Sequence, residues 1–297
     1  MDCSIIIVNY NTKVITNNCI DSIISKTQDV KYEIILVDNG STDGSKEHFE
    51  KRKDIRYIYV HENLGFGKAN NLGSRYAIGE FLFLLNSDTI LIENSVKILL
   101  DFFKINNNKL NIGVLGAILC DENLNKLNTA GSFPKVKFYI SDYLNLFFKT
   151  RLNTYQEINF SNITKVDMVS GADMFLKREL FLQVNGFDEK FFLYFEETDL
   201  QKRIFNLSKV NYIINQTKII HLEGASSKLN NWKRKVIQDS QTLYFRKNDS
   251  QNFLKYVFFE LLCTPVRFLN SNYTIKENIS FIKNNISKLY EYSNYRK

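Results

Sequence analysis

Acidic side chains at the ends of apolar runs are the residues of this sequence most able to do chemistry. Each follows a stretch of large apolar or aromatic residues; they are Asp38, Asp88, the acidic cluster 196–199 and, as a single imidazole, His221. Carboxylate and imidazole groups together suit a divalent ion that also holds phosphate oxygens. The residue types therefore indicate a metal-assisted site for a phosphorylated ligand.

Each of these groups also has an ordinary structural interpretation. Asx turns would explain Asp38, helix capping would explain Asp88 and the cluster 196–199, and His221 could be a hydrogen-bonded histidine of the core. These interpretations do not account for the arrangement of the groups on the predicted topology. The functional interpretation therefore depends on the elements that would position them.

Apolar runs alternate with helical patterns through the first 120 residues. Strands are predicted over 3–9, 33–37, 55–60, 81–85 and 112–119, and helices over 14–25, 43–51, 68–78 and 93–104. This alternation predicts an α/β fold with a mostly parallel, Rossmann-like sheet flanked by helices. Ligands of such sheets bind at the carboxyl ends of the strands, so we expect Asp38 and Asp88 to lie along one edge.

The second half of the sequence is less regular. The stretch 121–165 is aromatic and poorly periodic, which predicts an excursion over the sheet. An edge-type strand with a bulge at Gly171 is predicted over 166–177, and short strands over 209–214 and 218–220. Helical periodicity then covers 232–246, 253–269 with a kink or end at Pro265, and 274–292. We therefore divide the chain into a catalytic domain, 1–227, and a basic helical C-terminal region, 228–297.

Several classes of protein are disfavoured by absent motifs. The sequence has neither a Walker loop nor a GxGxxG after its first strand, which disfavours P-loop nucleotidases and dinucleotide dehydrogenases. The four cysteines are scattered without a CxxC pair, so neither a zinc site nor a disulfide framework is indicated. Without a signal-peptide pattern or a long apolar run, we expect a cytoplasmic protein.

Positive charge is concentrated in the last quarter of the chain. Residues 228–297 hold 13 Lys and Arg against 5 Asp and Glu, whereas the first 227 residues hold 26 against 27. One interpretation is a solvated basic face on helices that pack on the catalytic domain. The other is peripheral binding to anionic lipid at the inner face of the plasma membrane. Binding of nucleic acid is the least favoured interpretation of this charge, because no nucleic-acid recognition motif accompanies it.

Seven segments together make the sequence recognisable. They are IIIVNYNT, EIILVDNGSTDGS, NLGFGKANNLG, FLFLLNSDT, SGADMFLKRELFLQVNGFDEKFF, FEETDL and IIHLEGAS. In this order the sequence resembles, over about 4–227, the family 2 inverting glycosyltransferases of GT-A fold, especially their rhamnosyltransferase-like and galactofuranosyltransferase-like branch. The resemblance implies a GT-A fold with a helical C-terminal appendage.

The resemblance also implies roles for individual residues. Those expected at the nucleotide or near the donor are Val8, Asn9, Tyr10, Asn11, Asp38, Asn39, Gly67, Lys68, Asn70, Asn86 and Ser87. Metal ligands are expected at Asp88 and His221, and the catalytic base at Glu197, with Glu196 as the alternative. Residues expected on the acceptor side are Gly171, Ala172, Asp173 and Asp199.

Two positions depart from the family pattern. Asn86 replaces the first Asp of the DXD motif, so only Asp88 of that motif is expected to bind metal. Glu197 stands where the family has a catalytic Asp, and its extra methylene could change the angle from which the base reaches the acceptor. Glu196 therefore stays open as the base.

The implied activity is a metal-dependent, inverting sugar transfer with Mg or Mn as cofactor. The donor would be dTDP-rhamnose or a UDP-hexose, and the acceptor a glycan or lipid-linked sugar of bacterial surface polysaccharide. A sugar-1-phosphate nucleotidyltransferase is an alternative, although 9–13 lacks the glycines it would need after the first strand. The other alternative is a protein of the same fold that binds nucleotide or glycan without catalysing a reaction.

Overall fold

The computed structural model describes residues 1–135, 162–222, 231–269 and 274–295. These residues form two compact units. The first takes the described residues up to Phe133 and from 162 to Ser240, and the second takes 134 and 135 with those from Gln241 onward. The boundary predicted between 227 and 228 lies outside the described residues.

Nine strands of the first unit form one mixed sheet. All the described strands, including the two that lie outside this sheet, are in chain order β1 Cys3–Asn9, β2 Tyr32–Asn39, β3 Arg56–Val60, β4 Phe81–Asn86, β5 Thr89–Leu91, β6 Ile112–Cys120, β7 Ala130–Gly131, β8 Ile163–Val166, β9 Met168–Val169, β10 Asp173–Lys177 and β11 Val210–His221. The sheet order is β3-β2-β1-β4-β10-β6-β11-β5, with β8 on β11, while β7 and β9 form a separate pair.

Helices flank this sheet and continue into the second unit. They are α1 Lys13–Lys26, α2 Ser45–Phe49, α3 Phe66–Arg75, α4 Ser95–Leu110, α5 Arg178–Gln183, α6 Glu196–Asn206, α7 Asn231–Asn248, α8 Ser250–Leu262, α9 Thr264–Leu269 and α10 Ile275–Tyr295. The described residues thus confirm an α/β fold, with a mixed sheet flanked by helices and a helical C-terminal region.

The central strands are buried because their side chains are apolar on both faces. Along β4, Phe83 packs into one core, whereas its neighbours Leu82 and Leu84 pack into the other. Strands β2, β1 and β4 run parallel, with Val8 opposite both Val37 and Asn86. Such continuous apolar runs are typical of strands covered on both sides. The polar residues that follow β2 and β4 therefore emerge at the same edge, on either side of β1.

The sequence-based prediction for 166–177 was wrong. This stretch forms β8, β9 and β10 in part, and β10 is not at an edge but lies between β4 and β6, antiparallel to β4. The turn 170–172 interrupts the strand, while Met174, Phe175 and Leu176 are all buried, as an interior strand requires.

Two further predictions concern the later elements. The stretches 209–214 and 218–220 are one strand, β11, whose pairing with β6 shifts register between Ile213 and Lys218. The helix predicted over 253–269 is divided at Cys263, and Pro265 is the second residue of α9. Of the kink or end expected at Pro265, the structure has the end: α8 stops at Leu262, and Pro265 lies in the first turn of α9, where proline is tolerated.

Candidate active site

Strand pairing brings His221 to Asp88 across more than a hundred residues. The short strand β5 follows Asp88 and pairs antiparallel with the end of β11, placing His221 opposite Thr89. The backbone N–H of Leu222 donates to the carbonyl of Asp88 at 2.8 Å. As a result, Asp88 Oδ1 lies 3.2 Å from His221 Nε2.

This pair fits part of a divalent metal site. The side chains of His221 and Asp88 are 12% and 17% exposed, so both can reach a ligand. Within the described ranges, no three His, Cys, Asp or Glu side chains come together as a complete metal site. Mg²⁺ commonly uses one or two protein ligands together with substrate phosphates and water. The pair therefore suits an ion whose coordination is completed by a phosphorylated substrate.

The turn that carries Asp88 is fixed by its neighbours. Asn86 donates its backbone N–H to the carbonyl of Ala172 at 3.0 Å. Its own carbonyl accepts from Thr89 Oγ1 at 2.8 Å. The hydroxyl of Ser87 lies 3.4 Å from that of Thr12, at the start of α1. These contacts connect the turn to both β10 and the first helix.

Helix α6 begins with the two candidate bases, which lie against different glycines. A Cβ placed on Gly171 would lie 3.4 Å from Glu197 Cγ, and one on Gly67 would lie 3.5 Å from Glu196 Cβ. Gly171 precedes Ala172, whose carbonyl holds Asn86. Glu197 therefore lies beside the segment that fixes the Asp88 turn, whereas Glu196 faces the start of α3.

The two glutamates also differ in burial. Glu196 is 3% exposed, and its Oε2 has no hydrogen-bond partner among the described residues. Burial, and then the charge of Glu197, raises the pKa of Glu196 well above its usual range. Glu197 is half-buried, and burial raises its pKa too, opposed by backbone hydrogen bonds. Glu197 is thus the more exposed of the two residues, and both carboxyls hold a proton more tightly than an ordinary glutamate does.

The predicted nucleotide residues Asn9 and Asp38 are fully buried. Asn9 Oδ1 accepts from Thr16 Oγ1 at 2.8 Å, and its Nδ2 donates to Ser41 Oγ at 3.0 Å. Asp38 accepts from the hydroxyl of Tyr57 at 2.7 Å. Burial, together with this hydrogen bond, raises the pKa of Tyr57. Both side chains therefore shape the loops after β1 and β2 from within.

Residues 8, 10 and 11 are more accessible. Val8 is half-buried, Tyr10 is exposed, and Asn11 is exposed in a left-handed conformation, its Oδ1 accepting from the N–H of Thr42 at 2.7 Å. The side chains of Tyr10 and Asn11, just after β1, are therefore accessible to a ligand. Their role as nucleotide contacts stays a prediction.

Asn39 organises the turn that leads into α3. Its Nδ2 donates to Asn63 Oδ1 at 2.9 Å, and its Oδ1 accepts from the N–H of Leu64 at 2.9 Å. Gly65 has φ of 83°, and a Cβ there would lie 2.1 Å from the carbonyl oxygen of Phe192. Only glycine fits this close approach of two backbones.

The remaining predicted donor residues lie in or next to α3. Gly67 is buried against Phe187 and Glu196, Lys68 is exposed, and the buried Asn70 donates to the carbonyl of Phe66 at 3.0 Å. Of these, Lys68 is the side chain available to a ligand.

The predicted acceptor-side acids Asp173 and Asp199 are both turned into the protein. Asp173 Oδ2 accepts from the N–H of Ala117 at 2.6 Å, and burial raises its pKa well above its usual range. Asp199 accepts from Arg203 Nε at 2.9 Å. Their role at the acceptor stays a prediction, whereas Gly171 and Ala172 lie beside Glu197 and Asn86 as described.

Sequence reasoning missed the residues that support this site. Asn71 accepts from the N–H of Phe187 and donates to its carbonyl, each at 2.9 Å, and so fixes the aromatic segment before α6. Ser240 Oγ donates to the carbonyl of Leu193 at 2.8 Å. Asn71 lies within the segment NLGFGKANNLG, so the family resemblance of that segment could have identified it. Nothing in the sequence marks Ser240.

Comparison with known proteins identifies the family of this chain. Residues 4–181 match the family described as Glycosyl transferase family 2. The chain is 25% identical over 210 residues to the N-acetylglucosaminyl-diphospho-decaprenol L-rhamnosyltransferase of Mycobacterium tuberculosis, covering 65% of this chain and 67% of that protein. It is 33% identical over 100 residues to the glycosyltransferase GlyG of Streptococcus pneumoniae, covering 32% of this chain and 33% of GlyG.

Two solved structures share the fold at low sequence identity. GalNAc-T7 with UDP, GalNAc and Mn²⁺ has a TM-score of 0.61 at 14% identity, over 96% of this chain and 54% of that one. S. aureus TarS has a TM-score of 0.53 at 15% identity, over 85% of this chain and 45% of that one. The chain thus spans about half the length of these two structures.

Proposed function

The chain belongs to glycosyl transferase family 2, and on this premise we propose that it transfers a sugar from a nucleotide-sugar donor to a glycan or lipid-linked acceptor in bacterial surface polysaccharide synthesis. The observation that carries the proposal is the pairing of Asp88 with His221 beyond the end of β4, with Glu197 beside Gly171 in the segment that binds this turn. The mycobacterial relative, named for rhamnosyl transfer to a diphospholipid, favours dTDP-rhamnose as donor. A UDP-hexose is the second candidate.

The proposed reaction is a single displacement that inverts the anomeric carbon. The acceptor hydroxyl gives its proton to Glu197 while its oxygen forms a bond to the anomeric carbon. The bond from that carbon to the diphosphate breaks on the opposite face, and the electron pair leaves with the nucleoside diphosphate. One base is sufficient, and no covalent enzyme intermediate is needed.

Position and residue exposure favour Glu197 over Glu196 as the base. A general base must come within hydrogen-bond distance of the acceptor hydroxyl. Glu197 is half-buried beside Gly171, whereas Glu196 is 3% exposed and lies against the start of α3. The raised pKa of Glu197 moves it toward neutral pH, which strengthens it as a proton acceptor.

Asp88 and His221 would hold a divalent ion, Mg or Mn. Such an ion, when bound, stabilises the negative charge of the departing diphosphate. The protein's part is to keep Asp88 and His221 together through the pairing of β5 with β11. Asn86, in place of an acid, leaves Asp88 as the charged ligand of this turn.

We also propose where the chain acts. The excess positive charge of 228–297 supports peripheral contact with an anionic membrane from the cytoplasmic side, where a lipid-linked acceptor would be reached. None of the described helices is both long and apolar enough to cross a membrane. Nucleic acid is not among the proposed partners.

Donor binding tests the site. Thermal-shift measurements with UDP-, dTDP- and GDP-sugars, with and without Mn²⁺ or Mg²⁺, would compare wild type with Asp88→Asn. We expect one nucleotide class to raise Tm only with metal, since a ligand that binds the folded state stabilises it. Asp88→Asn should abolish this rise.

The matched control is Asp101→Asn, which removes a carboxylate from α4, paired there with Lys97. It should leave the metal-dependent rise intact. A rise in Tm that survives Asp88→Asn would contradict the metal assignment. Donor binding without any sugar transfer would favour the silent binding partner instead.

A further inference from the structure

The C-terminal helix α10 exposes a line of large apolar side chains. Ile275, Ile279, Ile286 and Tyr290 are 71%, 45%, 55% and 70% exposed. Their spacing of four, seven and four residues puts them on one side of an α-helix. We call this line the α10 stripe.

The opposite side of α10 already has its packing partners. Asn278, Phe281 and Asn285 are buried, and in the second unit α10 packs against α8 and α9. The α10 stripe is therefore not part of the core of this unit. Single exposed apolar residues are ordinary, but a contiguous line of them is typical of an interaction surface.

Lysines lie next to the α10 stripe. Lys276 and Lys283 are exposed and precede Ile279 and Ile286 by three residues, on the adjoining side of the helix. Glu277, next to Lys276, is engaged at the helix start, where its Oε2 accepts from the N–H of Thr274 at 2.6 Å. The surface thus combines large apolar side chains with positive charge.

Helix α8 repeats this combination. Phe258 and Leu262 are 55% and 78% exposed and are four residues apart. Lys255 is exposed on the same side, three residues before Phe258. Over 241–297 the sequence holds nine Lys and Arg against four Asp and Glu. The charge is therefore a property of the whole C-terminal unit.

We propose that the α10 stripe, with Lys276 and Lys283, binds the anionic surface of a lipid bilayer. An amphipathic helix of this kind lies in the plane of the membrane with its apolar side in the headgroup layer and its lysines near the lipid phosphates. The inference deepens the proposed function and rests on it: binding to the membrane would bring the protein to a lipid-linked acceptor, which lies in the same bilayer.

Charge favours lipid over a second copy of the chain as the occupant. A twofold contact between two α10 stripes would bring the lysines of both copies to one interface. Like charges there oppose association, and lysine is depleted at protein interfaces. An anionic bilayer provides the complementary charge.

Vesicle co-sedimentation of the full chain tests this inference. Wild type should bind phosphatidylglycerol-containing vesicles more tightly than pure phosphatidylcholine, and the preference should weaken with salt. The double change Ile279→Ser and Ile286→Ser should lower the affinity by roughly tenfold. The matched control Ile105→Ser, at a 78% exposed isoleucine on α4, should not.

A second variant removes charge without touching the apolar side chains. Lys276→Gln with Lys283→Gln should reduce the preference for phosphatidylglycerol. Unchanged binding in both double variants, or an equal loss in Ile105→Ser, would overturn the inference. Wild-type dimers that ignore vesicles and dissociate in the isoleucine variant would identify a second copy as the occupant.

Donor binding, measured on the same preparations, separates the two proposals. If wild type does not bind the vesicles but keeps its metal-dependent rise in Tm, the membrane inference alone is overturned. Vesicle binding without any donor binding would overturn the proposed transfer alone.

Discussion

At the scale of single residues, the two glutamates at the start of α6 are neighbours of the same type that differ in burial and in proton affinity. Burial raises the pKa of both, and the charge of Glu197 raises that of Glu196 further. Glu196 is enclosed, while Glu197 is half-buried beside Gly171. We therefore expect Glu196 to stay protonated over a wider pH range and Glu197 to exchange protons with a substrate.

Replacing each glutamate by glutamine tests this division. Glu197→Gln should lower kcat by roughly a hundredfold or more, the usual contribution of a general base. Glu196→Gln should have little effect, because glutamine resembles a protonated glutamate in size and hydrogen bonding. Wild-type kcat/KM should fall as pH decreases through the raised pKa of Glu197, which lies above the usual value of about 4.3.

The measurement is initial rate against pH for both variants, with donor binding as a check on folding. A large loss of kcat in Glu196→Gln with near-normal turnover in Glu197→Gln would assign the base to Glu196. Full activity in both variants would show that neither Glu196 nor Glu197 is the catalytic base.

At the scale of elements, the turn before α6 is under backbone strain. Tyr194 and Phe195 have φ of 69° and 67°, in the left-handed region that costs a non-glycine residue about 1–2 kcal/mol. Such strain persists only where surrounding contacts hold it. Because Phe195 immediately precedes Glu196, the turn decides the direction from which both glutamates enter the site.

Two helices hold this turn from different sides. At the start of α3, the N–H of Phe66 donates to the carbonyl of Phe192 at 3.1 Å. From α7, Ser240 Oγ donates to the carbonyl of Leu193 at 2.8 Å. Trp232, also on α7, places its ring 6.0 Å from that of Phe192. The first part of α7 therefore supports the turn before α6.

Removing the Ser240 hydroxyl should loosen the turn. We expect Ser240→Ala to lower the free energy of unfolding by about 1 kcal/mol, the net value of one hydrogen bond. Misalignment of Glu197 should lower kcat by roughly tenfold with little change in donor KM. Kinetics and thermal unfolding would be compared with Asp239→Ala, an exposed neighbour on the same helix. Equal rates in the two variants would mean that α7 has only a structural role.

The elements also show what sequence could and could not predict. The ends of β2 and β4 were predictable because their apolar runs stop at polar residues, and so Asp38 and Asp88 were expected at one edge. The interior position of β10 was not predictable from sequence, because its antiparallel insertion between β4 and β6 depends on pairing with strands that are distant in the chain. For the same reason the burial of Asn9 and Asp38 could not be read from their polar side chains.

At the scale of the whole molecule, buried acids and surface acids act on stability in opposite directions. Asp173, the first residue of β10, is fully buried, and burial raises its pKa. Asp54 is at the surface, where hydrogen bonds from Arg52 lower its pKa. The pH dependence of unfolding therefore contains contributions of both signs, which single substitutions can separate.

The sign for Asp173 follows from proton linkage. A buried acid with a raised pKa binds its proton more tightly in the folded chain than in the unfolded chain. Below the unfolded pKa, about 3.9, both states are protonated and there is no penalty. Between that value and the raised folded pKa, stability falls with pH, at about 1.4 kcal/mol per pH unit for one proton.

Asp173→Asn removes this fall, because asparagine does not titrate and can still accept from the N–H of Ala117. The free energy of unfolding, measured in urea from pH 4 to neutral pH, should therefore rise relative to wild type as pH increases. The control Asp54→Asn should behave oppositely, losing stability at neutral pH and matching wild type in acid. Parallel pH profiles for wild type and Asp173→Asn would show that Asp173 is charged in the folded chain, with its unfavourable burial compensated by the Ala117 N–H.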